Sequence, residues 1–347
     1  MKKRFVISII LIIALSLTLF VGCENGDTGP IPEPQALKIE DYFPIEENVR
    51  YVYEGEGNEF ASYNVYIDFT EENKVQQRVE TGGTVLARVL KIVDGKLIRS
   101  LSREEVYHRQ NLLDIEEEEE ILLMEPLEVG TTWTLEDGRT RTITSLNAEV
   151  STPLATYEAI EVVTEGFDAK MTDYFAKGVG LVKTEFDSDG NIVTSSLKEF
   201  SQGVAREEII EFYFPNIDDE KLYYKNKLVS FRTNEDIKSI LAKEYKDAVV
   251  SNVGPVFTTN VAINSASVNE ENFLELDLND AFVTEMNAGS GYEVMILQSL
   301  ANTFAKYYNA NGIILTIEGE PYESGHILMR EGEKIMVDDT NTVEIEV

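Results

Sequence analysis

The chain has 347 residues, with 30 Lys and Arg against 63 Asp and Glu, for a formal charge of −33. One cysteine excludes an intrachain disulfide and a Cys-based zinc site, two histidines leave little for a His-ligated metal, and the acid excess argues against nucleic acid, whose phosphates call for a basic face. An apolar share of 43% supplies enough material for one large or two ordinary domains.

Lys2, Lys3 and Arg4 precede an almost unbroken apolar run from Phe5 to Val21, which ends at Gly22-Cys23 and turns polar at Glu24-Asn25. This is the layout of a secretory signal peptide over residues 1–22. Leu19-Phe20-Val21-Gly22-Cys23 resembles the bacterial lipobox, with Phe20 where a leucine is usual. The expectation is cleavage after Gly22 and lipid attachment at Cys23, placing the rest outside the cytoplasm on the cell membrane. The alternatives are an uncleaved anchor, since the run is close to the roughly 18 residues needed to span, and plain secretion. Cleavage removes three cations and no acids, taking the charge from −33 to −36. Such a body is repelled by anionic headgroups, so the lipid must hold it. Residues 23–40, with Gly26, Gly29, Pro30, Pro32 and Pro34, read as a flexible tether.

Residues 41–200 read as β-rich, a meander, sandwich or open barrel with no convincing amphipathic helix. Tyr63, Val65, Ile67 and Phe69 alternate with period two, and Val85 to Val93 is a second strand region. Asp94-Gly95, Asp137-Gly138 and Asp189-Gly190 predict two-residue hairpins, in which both turn residues take positive φ; Gly82-Gly83 is a fourth candidate turn.

From 206 the period changes. Ile209 to Asn216 predicts a strand, and Ile237, Ile240, Leu241, Tyr245 and Ala248 a helix capped by Thr233 and Asp236. Strands follow near 261–268 and 273–278. A second helix opens at Ser290 and Glu293, read as a capping box, with Val294, Leu297, Ala301, Phe304 and Tyr308 as its buried stripe. Asn311-Gly312 ends it and Ile313–Ile317 is a last strand. The order ββαββαβ predicts two helices on one face of a small sheet. The chain as a whole is expected to be α+β.

Candidate chemistry is sparse. Asp187 to Asn191 lacks the spacing of an EF-hand and reads as a hairpin turn. The acidic run Glu116 to Glu120 reads as a solvated loop or edge, with a weak cation site as the minor reading. His108 reads as a surface residue. His326 has no nucleophile and orienting group assembled around it. No phosphate-binding glycine loop occurs. No catalytic, cofactor or metal residues are expected, and an enzyme is not.

The C-terminal segment resembles the GerMN domain of bacterial sporulation and germination lipoproteins. The resemblance rests on Phe212-Tyr213-Phe214-Pro215-Asn216, Leu276 to Phe282, Gly289-Ser290-Gly291-Tyr292-Glu293 leading into Leu297, Leu300, Asn302 and Thr303, and Ile313–Ile317 with Glu318-Gly319-Glu320-Pro321. It implies a GerMN-like α/β domain over 206–340, without catalytic residues, that docks to an envelope protein partner in sporulation or germination. The alternative is a cell-envelope protein binding a small ligand, peptide or glycan in a groove of the β-rich part.

Overall fold

The computed structural model of the protein describes residues 36–345. Gly22, Cys23, the signal peptide and most of the expected tether lie outside the described residues. The chain first forms a single helical turn, α1 (Ile39–Tyr42). Ile39 is wholly buried and its amide donates to the Glu125 carboxylate at 3.1 Å. The last residues assigned to the tether are therefore docked, and the β-rich part begins with a helical turn that the apolar pattern was too short to reveal.

Twelve antiparallel strands follow: β1 (Val49–Glu56), β2 (Tyr63–Glu71), β3 (Lys74–Thr81), β4 (Val85–Val93), β5 (Lys96–Arg103), β6 (Glu120–Met124), β7 (Thr132–Thr134), β8 (Thr140–Ser151), β9 (Thr156–Gly166), β10 (Ala169–Ala176), β11 (Gly180–Ser188) and β12 (Asn191–Gln202). They form one sheet in the order β6-β5-β4-β3-β2-β1-β12-β11-β10-β9-β8-β7. First and last strands thus pair at the centre, while β6 and β7, consecutive in sequence, are the two edges. Register shifts in β1, β2, β4, β5, β8 and β10 bend the strands. The bending brings the edges together: Trp133 Nε1 of β7 and Arg141 of β8 both donate to the Ile121 carbonyl of β6, at 3.0 and 2.6 Å. The sheet is a barrel closed by side chains rather than by a ladder.

The turns divide by backbone geometry. Asp94-Gly95 and Asp189-Gly190 are left-handed at both positions, as expected for two-residue hairpins. At Asp137-Gly138 only Gly138 has positive φ, and Leu135 N reaches Arg139 O, so this is a longer turn. Phe167-Asp168 is left-handed at both positions without a glycine, and no turn was expected there.

The C-terminal part contains β13 (Arg206–Asn216), β14 (Lys221–Phe231), α2 (Ile237–Asp247), β15 (Ile263–Val268), β16 (Leu274–Leu278), α3 (Ala281–Thr284), α4 (Ser290–Tyr307), β17 (Gly312–Ile317), β18 (Glu320–Pro321), β19 (Lys334–Met336) and β20 (Thr342–Glu344). The chain is α+β, and the ββαββαβ order holds with short additions. There are two sheets, not one: β13-β14-β20, and β15-β16-β17-β18 with β19 beside β17. Helix α4 packs on both, which explains why most of its residues are buried and its polar Ser299, Asn302 and Thr303 with them. Val294, expected in the buried stripe, is 55% exposed. Leu37 onward is one compact unit, so the β-rich and C-terminal parts are packed together.

Their junction is polar. The segment between β5 and β6 folds over the outer face of the sheet, where Gln76 and Arg78 of β3 bind its backbone. Asp68, buried, stands between Arg78 (3.0 Å) and Arg109 (3.4 Å). Arg109 also donates to the carbonyls of Asp68 and Arg232, each at 2.7 Å, and lies 4.5 Å over the Phe69 ring. His108, expected at the surface, is half-buried, with its ring 5.0 Å from that of Tyr308.

Candidate functional site

The barrel interior is not filled. A cavity of about 310 Å³ runs between β1–β6 on one side and β8 and β10–β12 on the other. One part of its wall is apolar: Val65, Ile67, Val75, Leu90, Leu122, Met171, Phe175 and Leu181. Phe43 and Pro44, placed by α1, also border it. Strand alternation sends these residues inward and their neighbours to the outer face. Size and lining match those of small-molecule sites.

The rest of the wall is polar or charged. Arg88, Arg99 and Arg141 border the cavity, as do Glu120, Asp173 and Glu46. Glu120 is shared by Arg99 and Arg141. Asp173 accepts from the Thr184 hydroxyl at 2.7 Å, and burial pushes its carboxyl above the usual range. Glu46 is bonded to Gln202. Arg88 differs. Its Nε is sealed from solvent and has no hydrogen-bond partner, and no carboxylate among the described residues pairs with it. Burial lowers its pKa from the ordinary arginine value. Tyr63, stacked on Tyr53 at 4.5 Å, lies near it, its hydroxyl pushed up to about 12 by burial.

The acidic run expected to be a solvated edge is largely partnered. Glu116 binds Lys91, Glu117 binds Arg103, and Glu118 and Glu120 bind Arg99. Cations on β4 and β5 lie within side-chain reach of this run, so opposite charge neutralises part of it while Glu116, Glu117 and Glu119 remain exposed as expected. Among the described residues no acidic, histidine or cysteine cluster has the geometry of a metal site.

Ser290 and Glu293 do not cap α4. Gly289 is the residue before the helix and no side-chain cap bond is made. Ser290 already lies inside the first turn, one residue too late. Glu293 is 2% exposed and turns into the module, where its carboxylate accepts from the Tyr322 hydroxyl at 2.7 Å and from Ser324. It ties the helix to the chain after β18. The earlier box is also displaced: Asp236 caps α2 through Ser239 N at 3.1 Å, while the Thr233 hydroxyl donates to Ile67 O in the β-rich part.

A second surface lies on the C-terminal part. β13 is an edge strand, and the side not paired with β14 looks toward α4, where Tyr213 N donates to the Thr303 hydroxyl at 2.9 Å. By the two-residue period, Glu211 and Ile209 present their amides along the same edge. A groove of about 510 Å³ opens there, lined by Ile209, Glu211, Lys306, Tyr307 and Tyr107 among others. Ile209 is 67% exposed and directly opposite Leu228, itself 57% exposed. His326 is exposed, and its backbone amide donates to the Ser324 hydroxyl at 3.1 Å.

Residues 211–323 match the family model Germane, described as sporulation and spore germination. No curated relative matches the sequence. Three solved structures are similar in part. A protein of Bacteroides fragilis NCTC 9343, described as exported with a YmcC-like fold, is 12% identical over 46% of this chain and 99% of its own, with a TM-score of 0.30. A protein of Parabacteroides distasonis ATCC 8503 described as a lipoprotein is 14% identical over 46% of this chain and 98% of its own, at 0.28. The tandem GerMN domains of the sporulation protein GerM from Bacillus subtilis are 14% identical over 38% of this chain and 46% of theirs, at 0.26. At such scores these likenesses carry no argument. Among the described residues no helix is long and apolar enough to cross a membrane.

Proposed function

We propose that this chain, with its Germane segment at 211–323, is an extracytoplasmic lipoprotein held to the cell membrane through Cys23 that docks to a protein partner of the sporulation or germination envelope. The family match is the observation that carries the reading. The docking mode follows from the edge of β13. An unpaired strand edge is a template for an added strand, and Ile209 with Leu228 offers apolar contact beside it. The acidic body is repelled by anionic headgroups, which keeps this edge away from the bilayer and open to a neighbour. The reading requires no catalytic group.

The test compares three strains: a deletion, Cys23→Ala, and Ile209→Lys, which places a charge on the edge. The expected result is a shared defect in spore formation or germination, with Ile209→Lys protein at normal abundance. Unchanged sporulation, germination and envelope integrity in the deletion would sink the proposal.

A further inference from the structure

Sealing the Nε of an arginine from solvent without a hydrogen-bond partner carries a desolvation cost that a ligand facing it can offset. Arginine does not escape the cost by losing its proton. In this barrel the other two lining arginines are satisfied by Glu120, whose two oxygens they divide. Asp173 is occupied by Thr184. Arg88 is left over. Gln77 stands directly opposite it in the β3–β4 register and borders the same cavity. Tyr63, stacked on Tyr53, borders the same cavity. Three side chains able to donate, Arg88, Gln77 and Tyr63, therefore border a cavity whose other charged residues, Arg99, Arg141 and Glu120, are paired with one another and whose Asp173 is bonded to Thr184, beside an apolar stretch of wall.

We infer that the barrel lumen is a binding site for a small amphiphile with one anionic head, a carboxylate or phosphate, received by Arg88, Tyr63 and Gln77, and an apolar body lying against Val65, Leu90 and Met171. A guanidinium recognises such heads with paired, charge-assisted hydrogen bonds. A cavity of about 310 Å³ limits the occupant to a short chain or a single ring system. The site is independent of the docking edge on β13, so either reading can fail without the other.

The test uses the chain from Glu24 to Val347, which contains the whole compact unit and needs no detergent to compete for the lumen. Binding of decanoate, 1-decanol and inorganic phosphate is measured by calorimetry and thermal shift. Decanoate is expected to bind roughly 10- to 100-fold tighter than decanol, the range of a hydrogen bond to a charged group, and tighter than phosphate, which lacks the apolar body. In Arg88→Met the preference for decanoate over decanol disappears while ligand-free unfolding remains a single cooperative transition. Arg88→Lys retains part of the preference. Met171→Trp, which fills the cavity and leaves Arg88 in place, abolishes decanoate binding and keeps the test valid if Arg88→Met folds poorly. Equal binding of acid and alcohol, a preference that survives Arg88→Met, or no binding of decanoate overturns the inference.

Discussion

The two halves of this molecule solve the interior differently. In the C-terminal part Tyr245 is ringed by Phe212, Phe214, Phe257 and Phe304 at centroid distances of 5.1–5.8 Å, and its hydroxyl is satisfied by the Tyr213 carbonyl at 2.6 Å. The space around this ring is filled, and its hydroxyl has a partner. In the barrel the strands enclose a cavity, and a charged group facing it has none. A filled interior stabilises one shape and presents a surface; a hollow one with an unmet charge is poised for something else to enter. The difference separates the two proposals: docking rests on an edge, ligand binding on a lumen.

Five substitutions sharpen that contrast. The largest effect is expected from Phe304→Ala, at about 3–5 kcal/mol of stability, because the aromatic cluster around it leaves no slack for collapse. Chemical denaturation measures it, and a loss below about 1 kcal/mol would mean the module is packed as loosely as the barrel. Asp68→Ala should cost about 3–5 kcal/mol as well, because Arg78 and Arg109 would both be left buried and uncompensated. If the halves then melt in two separate transitions, the polar junction is what couples them. Two coincident transitions would assign the coupling to apolar contacts instead.

Glu293→Ala should cost about 1.5–3 kcal/mol by releasing Tyr322 and Ser324, whereas Ser290→Ala should stay within about 0.5 kcal/mol. Equal losses would restore the capping-box reading. The smallest change is in the lumen. Burial raises the Asp173 carboxyl above its unfolded value, so the folded state binds a proton more readily than the unfolded one. Stability therefore falls as pH rises through the unfolded value toward the folded one, and the penalty is fully present above both. Asp173→Asn removes it while keeping an acceptor for Thr184. Its melting midpoint should exceed that of the wild type at pH 7 and converge with it at acid pH. A gain of the same size at both pH values would contradict a titration origin.

Much of this architecture was legible in the sequence because its causes are local. Asp-Gly at 94–95 and 189–190 marks hairpins since few other pairs accept left-handed φ twice; Phe167-Asp168 breaks that rule and was missed. Period-two alternation marked Tyr63, Val65 and Ile67 as sharing the inward face, but a register shift after Ile67 turns Phe69 to the outer face; the change of period at 206 marked the second part. Residue types at a helix start were less reliable. A serine and a glutamate three apart fit a capping box, yet a shift of one residue turns Glu293 from a cap into a buried anchor.

The sequence alone determined that the chain is acidic, poor in metal ligands and α+β, because composition and short-range pattern carry that information; the GerMN-like reading of its C-terminal segment came from resemblance to a known family. The tertiary structure decided which charges are matched. Arg88, Arg99 and Arg141 are indistinguishable as letters. Only when bulges bend twelve strands until β6 meets β7 and β8 does Glu120 come between two of them and leave the third unpaired. Pairing between strands far apart in the chain depends on curvature and register summed over the whole sheet, which no local window contains.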